Sequence, residues 1–294
     1  MRNAILIAGP TASGKSALAL DFAREDGGVI VNADSMQVYS VLDVLTARPS
    51  ASDLAQAPHR LYGHVHPATP YSTGEWLRDV SRLIESGELA DRTAIFVGGT
   101  GLYFRALTEG ISAMPDIPAA VREHWRQRLA EKGPASLHRL LQERDPEAAN
   151  ALRPSDGQRL ARALEVFDAS GRSILEWQAE RGVPLVDPES ARRMVIEPDR
   201  ALLAQRIEQR FDRMLESGAM KEAAAMSALA LDPALPATKA IGVRELQSAI
   251  AGEATLEEAR QRAIAATRQY AKRQMTWFRN QFGPEWTRFP APGA

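Results

Sequence analysis

The chain has 294 residues, 45% of them hydrophobic and 25% charged, with a formal net charge of −1 and no cysteine. This is the composition of an ordinary globular protein with room for one large core or two smaller ones, and it excludes disulfides, thiolate metal sites and a thiol nucleophile. No apolar run approaches the roughly 18 residues of a membrane span and the N-terminus enters a strand directly, so a cytoplasmic location without membrane contact is expected.

The first apolar run, residues 4–8, reads as a short buried strand. It leads into Gly9-Pro10-Thr11-Ala12-Ser13-Gly14-Lys15-Ser16 and then a helix near residues 14–24. That segment fits G-x-x-x-x-G-K-[ST] at every fixed position, in the strand–loop–helix setting the motif requires. Gly9 and Gly14 allow backbone approaches that a Cβ would block. The loop amides and the helix N-terminus favour an anion, Lys15 reaches its outer oxygens, and the Ser16 hydroxyl suits a Mg²⁺ carried by that anion. A di- or triphosphate is expected here.

Further strands are predicted at residues 29–32, 61–64 and 94–97, with a helix at 73–86; short apolar runs alternating with amphipathic segments indicate a parallel sheet. Residues 118–179 show only helical periodicity, broken at Gly133-Pro134, Asp145-Pro146, Pro154 and Gly171. A strand at 194–196 follows, then helices near 200–217, 242–250 and 255–280. The tail from 282 to 294 is expected to be loosely ordered apart from a short strand at 286–289. The predicted fold is α/β: a P-loop parallel-sheet core formed by residues 1–112 and 190–294, with a mostly helical insertion domain at 113–189.

Ordinary ATPases and GTPases end a core strand with an Asp that helps to hold Mg²⁺. Here the strand at 94–97 runs into Gly98-Gly99-Thr100-Gly101-Leu102-Tyr103, which offers a hydroxyl instead. No Asn-Lys-x-Asp guanine-reading segment occurs. A carboxylate stands past the second strand, at Asp34. Ligands of open parallel sheets gather at the C-terminal strand ends, so the P-loop, Asp34 and Thr100 are expected to converge, Asp34 serving as a base or as a Mg²⁺ ligand. Near the C-terminus, Arg260, Arg262, Arg268, Lys272, Arg273 and Arg279 are interleaved with Tyr270, Trp277 and Phe278, with no acid between residues 259 and 279. Ala263, Ile264, Ala271, Met275 and Phe278 form a helical apolar stripe, which leaves the cations together on a neighbouring face, either solvated or facing RNA phosphates.

Taken in order, Gly9–Ser16, Asp34-Ser35-x-Gln37-x-Tyr39, Thr46-Ala47-Arg48-Pro49, Pro58-His59-Arg60, Gly98–Tyr103, Gln158-Arg159-Leu160-x-Arg162-Ala163-Leu164-Glu165 and the block from Thr267 to Trp277 resemble the tRNA dimethylallyltransferases. The resemblance spans nearly the whole chain. It implies dimethylallyl diphosphate rather than ATP on the P-loop, with Gly9, Pro10, Thr11, Ala12, Ser13, Gly14, Lys15, Ser16 and Arg210 binding the diphosphate and Mg²⁺ on Ser16. Asp34 becomes the base for the N6 amine of adenosine 37 of tRNA, with Thr100 and Lys15 beside the reacting centre. The anticodon stem-loop is then read by Asp34, Ser35, Met36, Gln37 and Thr100. It is held by Gln158, Arg159, Leu160, Ala161 and Arg162, by Arg122, and by Arg268, Lys272 and Arg273; a monomer is expected.

Two glycines common in the family are replaced by Val41 and Leu45, a cation by Ser40, and an aromatic by Val243. Three activities compete with tRNA prenylation: prenylation of free adenylate by a relative with the same fold, phosphoryl transfer by a P-loop kinase, and nucleotide-gated RNA binding without catalysis. The basic helix and the insertion favour tRNA, because a mononucleotide would need neither.

Overall fold

The computed structural model describes residues 1–180 and 182–291. It divides into two compact units, one made of residues 1–108 and the segment from Leu185 onward, the other of Glu109–Pro184.

In the first unit, β1 (Ile5–Ala8), α1 (Lys15–Asp26), β2 (Val29–Asn32), α2 (Ala51–Gln56), β3 (His59–Arg60), α3 (Thr73–Glu85), β4 (Ala94–Gly98) and α4 (Gly101–Glu109) precede the helical unit. That unit contains α5 (Ala119–Arg144), α6 (Pro146–Ala151), α7 (Gly157–Ser170) and α8 (Ile174–Ala179). The chain then forms β5 (Arg192–Ile196), α9 (Arg200–Glu216), α10 (Ala219–Ala228), α11 (Val243–Ile250), α12 (Leu256–Gln281) and β6 (Thr287–Phe289). The six strands make one sheet in the order β3-β2-β4-β1-β5-β6, parallel throughout.

Both faces of the sheet are covered, which is why the two middle strands, β1 and β4, are apolar at every position. Leu6, Val31, Phe96 and Val195 pack on one side with Trp76, Phe104 and Phe278. Ile5, Ile7, Ile30, Ile95 and Met194 alternate onto the other side with Ala19 and Ala23 of α1. The register Ile7↔Val97 and Ile7↔Met194 lines up the ends of β1, β4 and β5, so the loops that follow them leave the sheet at one edge. A separate apolar cluster joins α9 to α12 with the segment around Val38–Leu45.

Helix ends follow their local chemistry. Ser72 and Glu75 cap α3 reciprocally, as Thr255 and Glu258 cap α12, and Gly27 closes α1 in the left-handed conformation. The strand predicted at 61–64 is displaced: β3 ends at Arg60, because Leu61 (φ 63°) and Gly63 (φ 59°) leave the extended region. Glycine suits position 63 because its φ is positive; a Cβ there would also meet the far end of the flexible Arg48 side chain. The helical unit has its own core of Trp125, Leu137, Leu141, Leu160 and Leu164, and α5 turns sharply at Gly133 (φ 70°, ψ 171°). Among the described residues, no helix is long and apolar enough to cross a membrane.

Candidate active site

The loop between β1 and α1 is built as its sequence requires. Ala12 (φ 63°) and Gly14 (φ 90°) are left-handed, the Ser13 amide donates to Pro10 O at 3.2 Å, and Lys15 Nζ folds back to Pro10 O at 3.1 Å. A Cβ on Gly9 would come within 2.8 Å of the buried Ser13 Oγ. The first turn of α1 leaves N–H groups without intrahelical acceptors, which suits an anion. Ser16, on that turn, is exposed.

Asp34 follows β2 and is held from both directions. Its amide donates to the buried Asn32 Oδ1 at 2.8 Å, and its carbonyl accepts from Asn32 Nδ2 at 2.9 Å. Asn32 O in turn accepts from Trp76 Nε1 at 2.8 Å. The carboxylate's Oδ1 accepts the Met36 amide at 2.9 Å, and Oδ2 lies toward Gly99, whose added Cβ would sit 3.3 Å away. Thr100 completes this corner: its Oγ1 accepts the Ser35 amide at 2.9 Å and donates to Ser35 Oγ at 3.3 Å.

These pieces meet at a cleft of about 310 Å³ lined by Thr11 and Ala12 of the loop, Asp34, Ser35, Met36, Arg210 and, from α12, Tyr270 and Arg273. Leu45, Ile207, Phe211 and Met214 give it an apolar wall. Lys15 is lowered to about 8, by burial first, with the Asp34 charge opposing the shift and Arg210 adding to it. Burial likewise lowers Arg210, with Asp34 again opposing. Burial, then the Asp34 charge, pushes the phenols of Tyr62, Tyr103 and Tyr270 upward, so they remain neutral donors around the carboxylate. Asp34, Lys15 and Arg210 thus form one electrostatic group.

Leu45, which replaces a family glycine, forms part of the apolar wall. Gly242 must lack a side chain to receive it, because a Cβ there would stand 2.7 Å from Leu45 Cδ2. The backbone that carries Leu45 is anchored by the Glu222 carboxylate, which accepts the amides of Asp43, Val44 and Leu45 at 2.9, 2.6 and 2.9 Å. Gln37 is also committed: its Nε2 donates to Thr46 O and Ala47 O at 2.9 and 2.8 Å.

The basic helix departs from expectation. Its cations do not share one face: Arg273 stands at the cleft beside Asp34, whereas Arg268 and Lys272 line a second cleft of about 340 Å³ with Arg200 and Arg279. Arg260 pairs with Asp212 and Arg268 with Glu208. In the helical unit, Arg122, Gln158 and Arg159 are exposed and Arg162 is half-buried. Leu160 and Ala161 are buried in that unit's core, which corrects their placement among RNA-contacting side chains. The helical turn of α7 directs these two inward while their neighbours face out.

Sequence reasoning gave Gln274 no role. It occupies the buried stripe of α12, where its Oε1 accepts the Thr11 amide at 3.0 Å and its Nε2 donates to Gly99 O at 2.9 Å. The signal was a polar residue three positions after Ala271 and four before Phe278, at helical spacing with the apolar stripe.

Comparison with known proteins places the chain among relatives over nearly its whole length. The IPP transferase family model matches residues 37–281, and the isopentenyl transferase model matches residues 2–66. The chain is 67% identical over 288 residues to the tRNA dimethylallyltransferase of Mesorhizobium japonicum, covering 98% of this chain and 89% of the relative. It is 65% identical over 290 residues to that of a Chelativorans species, covering 99% of each. Among solved structures, a eukaryotic dimethylallyltransferase acting on tRNA is similar with a TM-score of 0.82 at 25% identity, covering 100% of this chain and 75% of that one.

Proposed function

Since the chain belongs to the IPP transferase family, we propose that it transfers the dimethylallyl group of dimethylallyl diphosphate to N6 of the adenosine at position 37 of tRNA, releasing diphosphate. The observation that carries this reading is the joining of three chemistries in one cleft: phosphate-loop residues Thr11 and Ala12, the carboxylate of Asp34 and the guanidinium of Arg210. Beside them runs an apolar wall suited to a prenyl chain.

In the reaction, the N6–carbon bond forms as the allylic carbon–oxygen bond breaks. The bonding pair of the broken bond leaves on the diphosphate, and the N6 proton passes to Asp34. Lys15, Arg210 and the amide-rich start of α1 offset the charge that develops on the leaving oxygen; preorganised donors of this kind are each worth about 10²–10³ in rate. Asp34 is aimed by the Met36 amide and the Asn32 bracket, so it meets the amine without reorganising. Adenine N6 is a weak nucleophile with a delocalised lone pair, which is why a carboxylate base is needed. Thr100 and Ser35 close the corner in which the base would sit.

Mg²⁺ suits this site as a companion of the diphosphate. Such an ion keeps several waters and takes one or two protein ligands plus phosphate oxygens. The exposed hydroxyl of Ser16 fits that donor set, and among the described residues no cluster of three or more His, Cys, Asp or Glu offers a cage of its own. When bound, the ion supplies further neutralisation of the leaving group.

An adenosine in a loop must be flipped out to reach such a cleft. Met36 lines the cleft and Gln37 Oε1 lies beside it in sequence, which supports them as readers of the target and its neighbours. Arg122, Gln158, Arg159 and Arg162 of the helical unit, with Arg268, Lys272 and Arg273 of α12, supply the cations and polar groups for the anticodon stem-loop. A monomer is the proposed state. The test is mass spectrometry of nucleosides from tRNA incubated with the protein, Mg²⁺ and donor, beside a parallel reaction with AMP. A five-carbon gain on tRNA adenosine supports the reading. Transfer to AMP in preference, or ATP turnover without any need for the prenyl donor, would replace it.

A further inference from the structure

Two loops divide the labour of the cleft. The loop after β1 faces the leaving group; the Gly98–Gly101 loop carries Thr100 and abuts Asp34, on the side of the nucleophile. Besides their sheet-edge bond, Gly9 N–H to Gly98 O at 3.3 Å, they are joined by one buried side chain from a third element. Gln274 of α12 accepts the Thr11 amide at 3.0 Å and donates to Gly99 O at 2.9 Å.

The polarity of that bridge is fixed. A backbone N–H must meet the carboxamide oxygen and a backbone carbonyl must meet its nitrogen, so only one orientation of Gln274 satisfies both loops. The fit is tight: a Cβ on Gly99 would lie 2.1 Å from Gln274 Nε2, and one on Gly101 would lie 2.1 Å from the Trp277 ring one turn further along. Tyr270 and Arg273, just before Gln274 on α12, line the cleft itself. The buried carboxamide therefore connects the helix that faces the acceptor to both catalytic loops.

We propose that Gln274 is a positioning residue that sets the separation between the diphosphate cradle and the Asp34–Thr100 corner. This rests on the prenyl-transfer reading above. It touches neither substrate, so its removal affects turnover rather than capture. A misplacement of about 1 Å between reacting groups costs on the order of 10²-fold in rate.

The test compares Gln274→Met, which keeps the volume and loses both bonds, with Gln274→Glu, using an anticodon stem-loop and dimethylallyl diphosphate. For the Met variant, kcat should fall about 10- to 100-fold while donor KM and RNA Kd move by less than about threefold. In the Glu variant a carboxylate oxygen confronts Gly99 O, and protonation restores a donor there. Its kcat relative to wild type should therefore rise as pH falls. Independently of catalysis, exchange of the Thr11 amide with solvent deuterium should be slow in wild type and faster in Gln274→Met.

A folded Met variant with wild-type kcat, or one altered only in donor KM, would overturn the proposal. A pH-independent ratio for the Glu variant would do so even if the Met variant failed to fold. Unchanged Thr11 exchange would overturn it whatever reaction the wild-type chain performs, which separates the bridge from the functional reading.

Discussion

The sharpest consequence of the cleft's electrostatics is a high-pH limit on donor capture. Lys15 is lowered to about 8 from an ordinary value of 10.5 because burial disfavours its charge; Asp34 opposes the shift and Arg210 deepens it. The residue is half-buried overall, and burial is the first cause of its lowering. With a value near 8, about ten ammonium groups in eleven are charged at pH 7 and about one in eleven at pH 9. If the neutral amine cannot hold the diphosphate, kcat/KM for the donor should fall almost tenfold per pH unit above 8, since that quantity reports the free enzyme. Donor ionisation does not interfere, because a terminal phosphate loses its last proton near pH 6. Unfolding cannot mimic the effect through this group: between about 8 and 10.5 the folded chain binds fewer protons than the unfolded one, so this lysine makes stability rise with pH. Arg210→Gln removes a cation and should move the limb to higher pH while weakening capture. Asp34→Asn removes the opposing anion and should move the limb of donor binding to lower pH. Donor Kd and kcat/KM measured from pH 7 to 10 for the three proteins check this. Identical limbs in all three would refute the arrangement of Lys15 between Asp34 and Arg210.

Asp34→Asn should also cut single-turnover prenyl transfer by about 10²–10⁴ with RNA Kd nearly unchanged, as loss of a general base requires; a weakened RNA complex with normal turnover would remove Asp34 from the chemistry. Glu222→Ala leaves three backbone amides without their carboxylate partner and should destabilise the chain by about 2–4 kcal/mol in a denaturant titration, with a raised donor KM because Leu45 and Thr46 line the cleft. Lys272→Ala should flatten the slope of log RNA affinity against log salt by about 0.7. Arg260→Ala, whose guanidinium is engaged by Asp212, should leave that slope alone; equal effects would mean that the ion pair opens on binding.

Legibility in the sequence followed the range of the interaction. The phosphate loop was readable because its constraints are local: Gly9, Gly14 and Lys15 act on neighbouring backbone at fixed spacing. Asp34 and Thr100 were readable one level up, since a parallel sheet collects whatever follows its strands at one edge. Gln274 was not, because its partner Thr11 lies 263 positions away and nothing local marks a glutamine as a bridge. The displaced strand failed for a different reason: apolar residues near 61 satisfy a strand pattern, but Leu61 takes a positive φ that hydrophobicity does not encode. Treating Gln158–Arg162 as one contact block ignored the helical turn, which sends Leu160 and Ala161 into the core.

The placement of the Asp34 carboxylate among cations would resolve a conflict inherent in the proposed reaction. A carboxylate beside the cradle would by itself repel an incoming diphosphate. Here Asp34 acts instead on Lys15 and Arg210, raising both toward their charged forms against the burial that lowers them. In the chain as it stands, the carboxylate favours the charged forms of both cations; in the proposed reaction a bound diphosphate would take over that part. If Asp34 takes the N6 proton as proposed, its own claim on those cations would disappear as negative charge accumulates on the departing oxygen, and Lys15 and Arg210 would be released to the leaving group.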